Sequence, residues 1–186
     1  SALQNLVAAH RAQFTIPVIG ITGSNGKTIV KEWLFQLLEA DYNIVRSPKS
    51  YNSQIGVPLS VWQLAPFHNL GIFEAGISQP DEMANLEKII QPTIGVFTNI
   101  GSAHNEGFLD IRQKINEKLR LFMKSEVIIF CRDYLDINEC LVTARDRMKK
   151  ADSDFDGFKT FSWTRKNLDA DVVINRSEEH TSELQS

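Results

Sequence analysis

Cysteine and long apolar runs are both scarce in this chain, and their scarcity excludes several classes of protein. Only Cys131 and Cys140 occur among the 186 residues, and they lack the spacing of metal ligands. We interpret both thiols as packing residues, which fits a reducing, cytoplasmic location. No apolar run approaches the ~20 residues that span a bilayer. Residues 1–13 also lack the continuous apolar segment of a signal peptide.

An excess of basic charge is absent as well. Lys and Arg together number 20 against 23 Asp and Glu, which gives a formal net charge of −3. This balance offers no electrostatic basis for a nucleic acid as the main partner. Hydrophobic residues make up 42% of the chain, and 186 residues are enough for one α/β domain with a sizeable core.

Apolar runs alternate with amphipathic segments along the sequence. This alternation predicts an α/β fold with a mostly parallel sheet and helices on both faces. In the helix at 27–39, the apolar residues Val30, Trp33, Leu34, Leu37 and Leu38 are predicted to share the buried face. The predicted strands are 18–22, 43–46, 70–74, 93–98, 127–130, 160–163 and 172–174, and the predicted helices are 2–10, 27–39, 56–64, 80–90, 111–123 and 137–148.

The segment GSNGKT at residues 23–28 lies between the first predicted strand and the helix that follows it. Two glycines permit a tight turn close to a polyphosphate, and the helix directs its free N–H groups toward that anion. Lys27 is expected to reach the outer phosphates of ATP, and the Thr28 hydroxyl to bind Mg²⁺. A strict phosphate-binding loop has glycine in place of Ile21, so a plain glycine turn is the alternative. The predicted nucleotide-binding residues are Gly23, Ser24, Asn25, Gly26, Lys27, Thr28 and Asn52.

Polar residues follow each of the first four predicted strands, and ligands of parallel sheets bind at the carboxyl ends of the strands. Glu74 ends the third strand and is predicted to bind Mg²⁺; a solvated or helix-capping carboxylate is the alternative. His104 lies in the polar loop after the fourth strand, where it could serve a second Mg²⁺ or cap the next helix. Lys118, on the helix at 111–123, fits an ordinary surface lysine by periodicity alone.

Four segments occur in the order found in Mur ligases, and the chain resembles that family over residues 2–175. They are ITGSNGKT at 21–28, YNSQIGVPL at 51–59, FEAG at 73–76 and TNIGSAH at 98–104. The resemblance is greatest to members that join D-alanyl-D-alanine to UDP-N-acetylmuramoyl-tripeptide, including forms fused to an alanine racemase. The family builds the peptide of bacterial peptidoglycan.

The resemblance implies roles for the same residues. It implies that Lys27 and Thr28 bind phosphate and Mg²⁺, that Glu74 binds Mg²⁺ and that His104 serves a second Mg²⁺. A carbamylated lysine of the family falls on Lys118, although Arg120 stands where many relatives have Glu. The implied reaction uses ATP to form an acyl phosphate, which the amine of D-alanyl-D-alanine then attacks. Lys27, His104 and Lys118 are therefore the expected catalytic residues.

The resemblance also implies a domain organisation. We expect residues 1–16 to be a linker helix from a missing N-terminal substrate domain, and residues 17–175 to be part of the central ATP-binding domain. Residues 176–186 resemble the translation of a sequencing adapter and are expected not to belong to it. The alternatives are a folylpolyglutamate synthase (FPGS)-like ligase and a nucleotide-binding fragment without turnover, which we expect of the isolated chain. A GTPase is disfavoured because the guanine motif Asn-Lys-x-Asp is absent.

Overall fold

The computed structural model describes residues 2–101, 107–151, 157–166 and 169–175. Seven strands occur in that part of the chain, and a helix follows each of the first five. The strands are β1 Val18–Thr22, β2 Ile44–Arg46, β3 Leu70–Glu74, β4 Ile94–Phe97, β5 Val127–Cys131, β6 Lys159–Thr164 and β7 Val172–Val173. The helices are α1 Ala2–Arg11, α2 Lys27–Leu38, α3 Gly56–Val61, α4 Glu82–Ile90, α5 Ile111–Leu119 and α6 Leu135–Ala151, and a 3₁₀ turn, Arg120–Phe122, follows α5.

All seven strands form one sheet in the order β2-β3-β1-β4-β5-β6-β7, and every neighbouring pair is parallel. The predicted α/β class is confirmed. The chain moves from β1 toward β2 and β3 on one side, then crosses to β4 on the other. This reversal next to β1 is where ligands of open parallel sheets bind, beyond the carboxyl ends of the strands.

Helix α2 covers one face of the sheet. Ile19, Ile21, Leu70 and Ile72 from the sheet form a buried cluster against the Val30, Leu34 and Leu38 side of the helix. The prediction that Trp33 and Leu37 share this buried face is wrong, because they are 63% and 74% exposed. The helix is rotated so that Lys31, which is fully buried, faces inward in their place.

The other face of the sheet packs against a larger group of helices. Residues of α3, α4, α5 and α6 join those of the strands in one core that includes Cys140. Both cysteines are buried free thiols. Helix α1 lies outside this layer against α3 and α4, where Val7 is fully buried and Arg11 bonds to the Ile90 and Gln91 carbonyls. Among the described helices, none has the length and apolar character needed to cross a membrane.

Candidate functional site

The turn between β1 and α2 needs glycine at both of its ends. Gly23 has φ 143° and Gly26 has φ 80°, both in the left-handed range that side chains rarely adopt. A Cβ atom at Gly23 would lie 2.0 Å from the Thr98 hydroxyl oxygen and 3.0 Å from the Asn99 amide nitrogen. The backbone therefore runs closer to the end of β4 than any other residue type would allow.

Asn99, just beyond β4, fixes the shape of this turn. Its carbonyl accepts from the Ser24 amide at 2.9 Å, and its Oδ1 accepts from the Asn25 amide at 3.0 Å. The Ser24 hydroxyl in turn accepts from the Gly101 amide at 3.0 Å. The sequence interpretation placed the polar loop after the fourth strand at the site but gave Asn99 no role. Its position directly after the strand next to β1 is the signal that could have revealed it.

The first turn of α2 is free to bind an anion. Gly26 is the N-cap residue, and no side chain caps the amides that follow it. The first N–H groups of a helix have no partner within the helix, and the helix dipole adds positive potential there. Uncapped amides after a glycine turn form the usual protein site for a phosphate group.

Three lysine ammonium groups lie around one cavity beside this turn. Lys27 Nζ donates to the Gly23 carbonyl at 3.0 Å and lies 3.4 Å from the Ser24 carbonyl oxygen. Lys118 Nζ lies 3.4 Å from the same Gly23 oxygen, and Lys114 Nζ lies 3.4 Å from the Gly101 oxygen. They line one cavity of about 390 Å³. Its lining residues are Gly23, Ser24, Asn25, Lys27, Gly76, Ile77, Ser78, Phe108, Lys114 and Lys118.

Burial and mutual repulsion perturb these lysines. Desolvation lowers the pKa of Lys27, against an opposing effect of Glu74, and it lowers the pKa of Lys114. Desolvation, followed by the charges of Lys27 and Lys114, lowers the pKa of Lys118 to about 7. The surface-lysine alternative for Lys118 is wrong, because its side chain is 3% exposed. A cavity that concentrates cations in this way is suited to a polyanion.

Glu74 ends β3 on the other side of Lys27, and its carboxylate is fully buried. Its Oε2 atom accepts from the Thr28 hydroxyl at 3.0 Å and from Asn52 Nδ2 at 3.4 Å. The solvated-carboxylate alternative for Glu74 is therefore wrong. A hydroxyl and a carboxylate at a phosphate-binding turn fit Mg²⁺, which prefers hard oxygen ligands and takes the others from phosphates and water. The predicted residues Thr28, Asn52 and Glu74 thus lie together.

Lys31 is a site residue that the sequence interpretation missed. Its side chain is fully buried, and its Nζ atom lies 3.1 Å from Glu74 Oε1 and 3.2 Å from Glu32 Oε1. It also donates to the Ser47 carbonyl at 2.8 Å and to the Lys49 carbonyl. The sequence did contain a signal for its burial. Lys31 lies one turn after Lys27, on the side of α2 whose following positions, Leu34 and Leu38, are apolar.

His104 and residues 176–186 lie outside the described residues, so their predicted roles stay predictions. Within the part of the chain that is described, no group of three or more His, Cys, Asp or Glu side chains is arranged around a common metal position. A second cavity, of about 530 Å³, adjoins the first. It is lined by Lys27, Asn52, Ser53, Gln54, Ile55, Gly76, Ile77, Ser78 and Glu82.

Arg120 occupies a position at which Glu was expected from the family resemblance. Its contacts point away from Lys27, Lys114 and Lys118. Its Nη1 atom lies 2.6 Å from Asp81 Oδ1 and 2.9 Å from Glu117 Oε2. Glu117 also accepts from the Met83 amide at the start of α4. Arg120 therefore links α5 to α4, while Lys114 and Lys118, one turn apart, face the cavity.

These features define an α/β domain of the P-loop type: a glycine turn after β1, an uncapped helix with Lys27 and Thr28, and a buried carboxylate on the adjacent strand β3. Comparison with known families then identifies the group to which it belongs. Residues 21–185 match the Mur ligase middle domain. The chain belongs to the Mur ligase family.

Individual relatives give the same grouping. The UDP-N-acetylmuramoyl-tripeptide–D-alanyl-D-alanine ligase of Synechocystis sp. is 42% identical over 103 residues, covering 55% of this chain and 23% of the relative. The MurF ligase from Thermotoga maritima in complex with ADP has a TM-score of 0.70 and 26% identity, covering 89% of this chain and 36% of that one. The chain thus spans about a quarter of the curated relative.

A more distant likeness bears on the alternative ligase. The apo form of L. casei FPGS has a TM-score of 0.59 over 86% of this chain and 48% of its own, at 12% identity. At that identity the likeness shows a shared fold and no more. The FPGS-like alternative is therefore supported by architecture alone.

Proposed function

We propose that this chain is the ATP-binding domain of a ligase that joins D-alanyl-D-alanine to UDP-N-acetylmuramoyl-tripeptide. The observation that supports it most is the convergence of three lysines on one cavity beside the uncapped start of α2, with the Thr28–Glu74 pair next to it. The activity for which the Synechocystis relative is named supplies the two substrates. The ADP in the Thermotoga structure supports the nucleotide.

Each side of the site has a separate part in this proposal. The amides of the first α2 turn and Lys27 bind the outer phosphates of ATP, because both are directed at the cavity. Thr28 and Glu74 would hold Mg²⁺, and Asn52 orients the Glu74 carboxylate. When bound, the metal neutralises phosphate charge that the lysines alone leave unbalanced. His104 is proposed for a second Mg²⁺ on the family resemblance alone.

The proposed reaction proceeds by acyl activation. The γ-phosphate of ATP is transferred to the terminal carboxylate of the UDP-N-acetylmuramoyl-tripeptide, and the amine of D-alanyl-D-alanine displaces phosphate from the acyl phosphate. These substrates carry several negative charges that repel one another. The domain's contribution is to hold them in line and to offset that repulsion, which is the main catalytic work in phosphoryl transfer.

Lys118 has a distinct part in the proposal, as a carbamate. Carbamylation requires the neutral amine, and a pKa of about 7 makes that form abundant at mildly alkaline pH. The product is an anion between Lys27 and Lys114, which removes the repulsion among the three ammonium groups. A buried lysine next to two other cations is therefore well suited to accept CO₂.

Nucleotide binding by the 186-residue chain tests the first part of the proposal. We expect calorimetry to detect ADP binding that Mg²⁺ strengthens, and Lys27→Ala to weaken it at least about tenfold because it removes charge from the phosphates. Lys88→Ala, which changes an exposed lysine on α4, is the matched control. Binding that is the same in Lys27→Ala and the parent would contradict a phosphate role for this turn.

Activity tests the second part. In a full-length ligase that contains this domain, phosphate release should require both UDP-N-acetylmuramoyl-tripeptide and D-alanyl-D-alanine. Lys118→Ala should lower turnover by orders of magnitude, and formate or acetate should partly restore it by replacing the carbamate. Release that glutamate and a folate support in place of those two substrates would favour the FPGS-like alternative.

A further inference from the structure

Lys31 has a fully buried charge that the proposed chemistry does not use. An unpaired buried ammonium is costly, and it persists only when several partners satisfy it. Lys31 contacts the buried Glu74, the half-buried Glu32 and the carbonyls of Ser47 and Lys49. These partners belong to three parts of the fold: α2, the end of β3 and the turn after β2.

The two oxygens of Glu74 share Thr28 and differ in their other neighbours. Oε1 lies 3.1 Å from Lys31 Nζ, whereas Oε2 accepts from Asn52 Nδ2 at 3.4 Å. The Thr28 hydroxyl lies 3.3 Å from Oε1 and 3.0 Å from Oε2. A carboxylate on a flexible side chain turns freely unless its oxygens are held separately. The Lys31 contact therefore holds Oε1, while Oε2 lies on the side of Asn52 and is the oxygen closer to the Thr28 hydroxyl.

Lys31 also anchors the turn that supplies Asn52. Lys49 has φ 49°, in the left-handed range, and its carbonyl accepts from Lys31. The Ser47 hydroxyl accepts from the Glu74 amide at 3.3 Å, and the Asn52 carbonyl accepts from the Gly76 amide at 2.7 Å. One buried ammonium thus connects the Glu74 carboxylate to the backbone of the segment that orients it.

We propose that Lys31 is a positioning residue, which fixes Glu74 and the 47–52 segment so that Oε2 faces the Mg²⁺ side of the nucleotide site. This inference rests on the proposed Mg²⁺-nucleotide function. It assigns to Lys31 no contact with substrate. Its effect is on the coupling between metal and nucleotide, and not on nucleotide affinity as such.

The coupling is measured by comparing ADP affinity with and without Mg²⁺ in the parent chain and in Lys31→Met. We expect the gain in affinity from Mg²⁺ to fall about tenfold in the variant, while binding of ADP alone changes less than about threefold. Arg11→Met is the matched control, because Arg11 is a buried cation that holds backbone carbonyls at the opposite edge of the sheet. That control should keep the Mg²⁺-dependent gain. An unchanged gain in Lys31→Met would overturn the proposal.

Amide hydrogen exchange in the absence of nucleotide gives an independent readout. Lys31→Met should accelerate exchange at Tyr51 and Gly76 about tenfold or more, and Arg11→Met should not. Lys31→Gln, which retains a donor for the carbonyls, serves as a second variant if Lys31→Met fails to fold. Exchange at these amides that matches the parent would also overturn the proposal. If the parent itself shows no Mg²⁺-dependent ADP binding, the proposed function fails while the exchange data still decide the role of Lys31.

Discussion

Removing the Lys118 ammonium should stabilise the protein in the absence of nucleotide and CO₂. Lys118 is 3% exposed and lies with Lys27 and Lys114 around one cavity. Its charge is therefore less favourable in the folded protein than in the unfolded chain. We take Lys118→Met as the test, because methionine has a similar length and no charge.

The magnitude follows from proton linkage. The pKa of Lys118 falls from 10.5 to about 7 on folding, so the folded protein binds fewer protons between these values than the unfolded chain. Stability therefore rises with pH across this window, and the cost of burying the charge is fully present below pH 7. At ~1.4 kcal/mol per tenfold change in proton affinity, that cost is on the order of 5 kcal/mol at pH 6.

Lys118→Met removes this cost, but part of the resulting gain in stability is offset. The hydrogen bond from Lys118 to the Gly23 carbonyl is lost, which costs about 1 kcal/mol. We therefore expect Lys118→Met to raise the free energy of unfolding by roughly 3–4 kcal/mol at pH 6. The gain should shrink to less than about 1 kcal/mol at pH 9.5, where the folded parent is already neutral at this position.

Urea unfolding at several pH values in degassed buffer measures this difference. Degassing matters because a carbamate on Lys118 would remove the cationic charge whose cost is being measured. Lys88→Met is the control, since Lys88 is exposed on α4 and its loss should change stability little at any pH. A Lys118→Met variant that is less stable than the parent at pH 6, or whose difference from the parent is constant from pH 6 to 9.5, would refute the reasoning.

Three further predictions concern the turn, the metal pair and the exposed side of α2. Gly23→Ala should abolish nucleotide binding and lower the free energy of unfolding by ~2 kcal/mol or more. Gly26→Ala should lower the free energy of unfolding by only about 1 kcal/mol in urea, because its added Cβ atom meets no atom closer than 4.0 Å. Thr28→Val and Glu74→Gln should each weaken Mg²⁺-dependent ADP binding in calorimetry, and together less than additively, while full additivity would separate their roles. Leu37→Ser should change the free energy of unfolding by less than ~0.5 kcal/mol, because Leu37 is 74% exposed. A loss above ~1.5 kcal/mol would show that Leu37 is part of the core.

The strands and the glycine turn at 23–26 could be predicted because their signals are local. An apolar run followed by glycine, Lys27 and Thr28 specifies strand, turn and helix from neighbouring residues alone. The position of Glu74 beside this turn could be predicted because the carboxyl ends of parallel strands meet at one edge of the sheet. Every predicted strand lies within a residue or two of its observed range.

The buried lysines could not be predicted, because their burial depends on residues far away in sequence. A hydropathy pattern assigns every lysine to solvent, and it therefore gave α2 a buried face with Trp33 and Leu37. The helix instead turns Lys31 inward, since Glu74 and the 47–49 carbonyls satisfy the ammonium there. For Lys118, the family resemblance indicated the site while periodicity indicated the surface.

The dependence of the glycine turn at 23–26 on Asn99 has a consequence for the order of folding. Ser24 and Asn25 obtain their hydrogen bonds from a residue more than 70 positions later in the chain. A nascent chain that ends before β4 contains GSNGKT and its helix, but it lacks the contacts that shape the turn. Contacts of such long range form late because loop closure must precede them. Competence to bind a nucleotide should therefore arise in one step, when β4 docks beside β1, and not when the motif is synthesised.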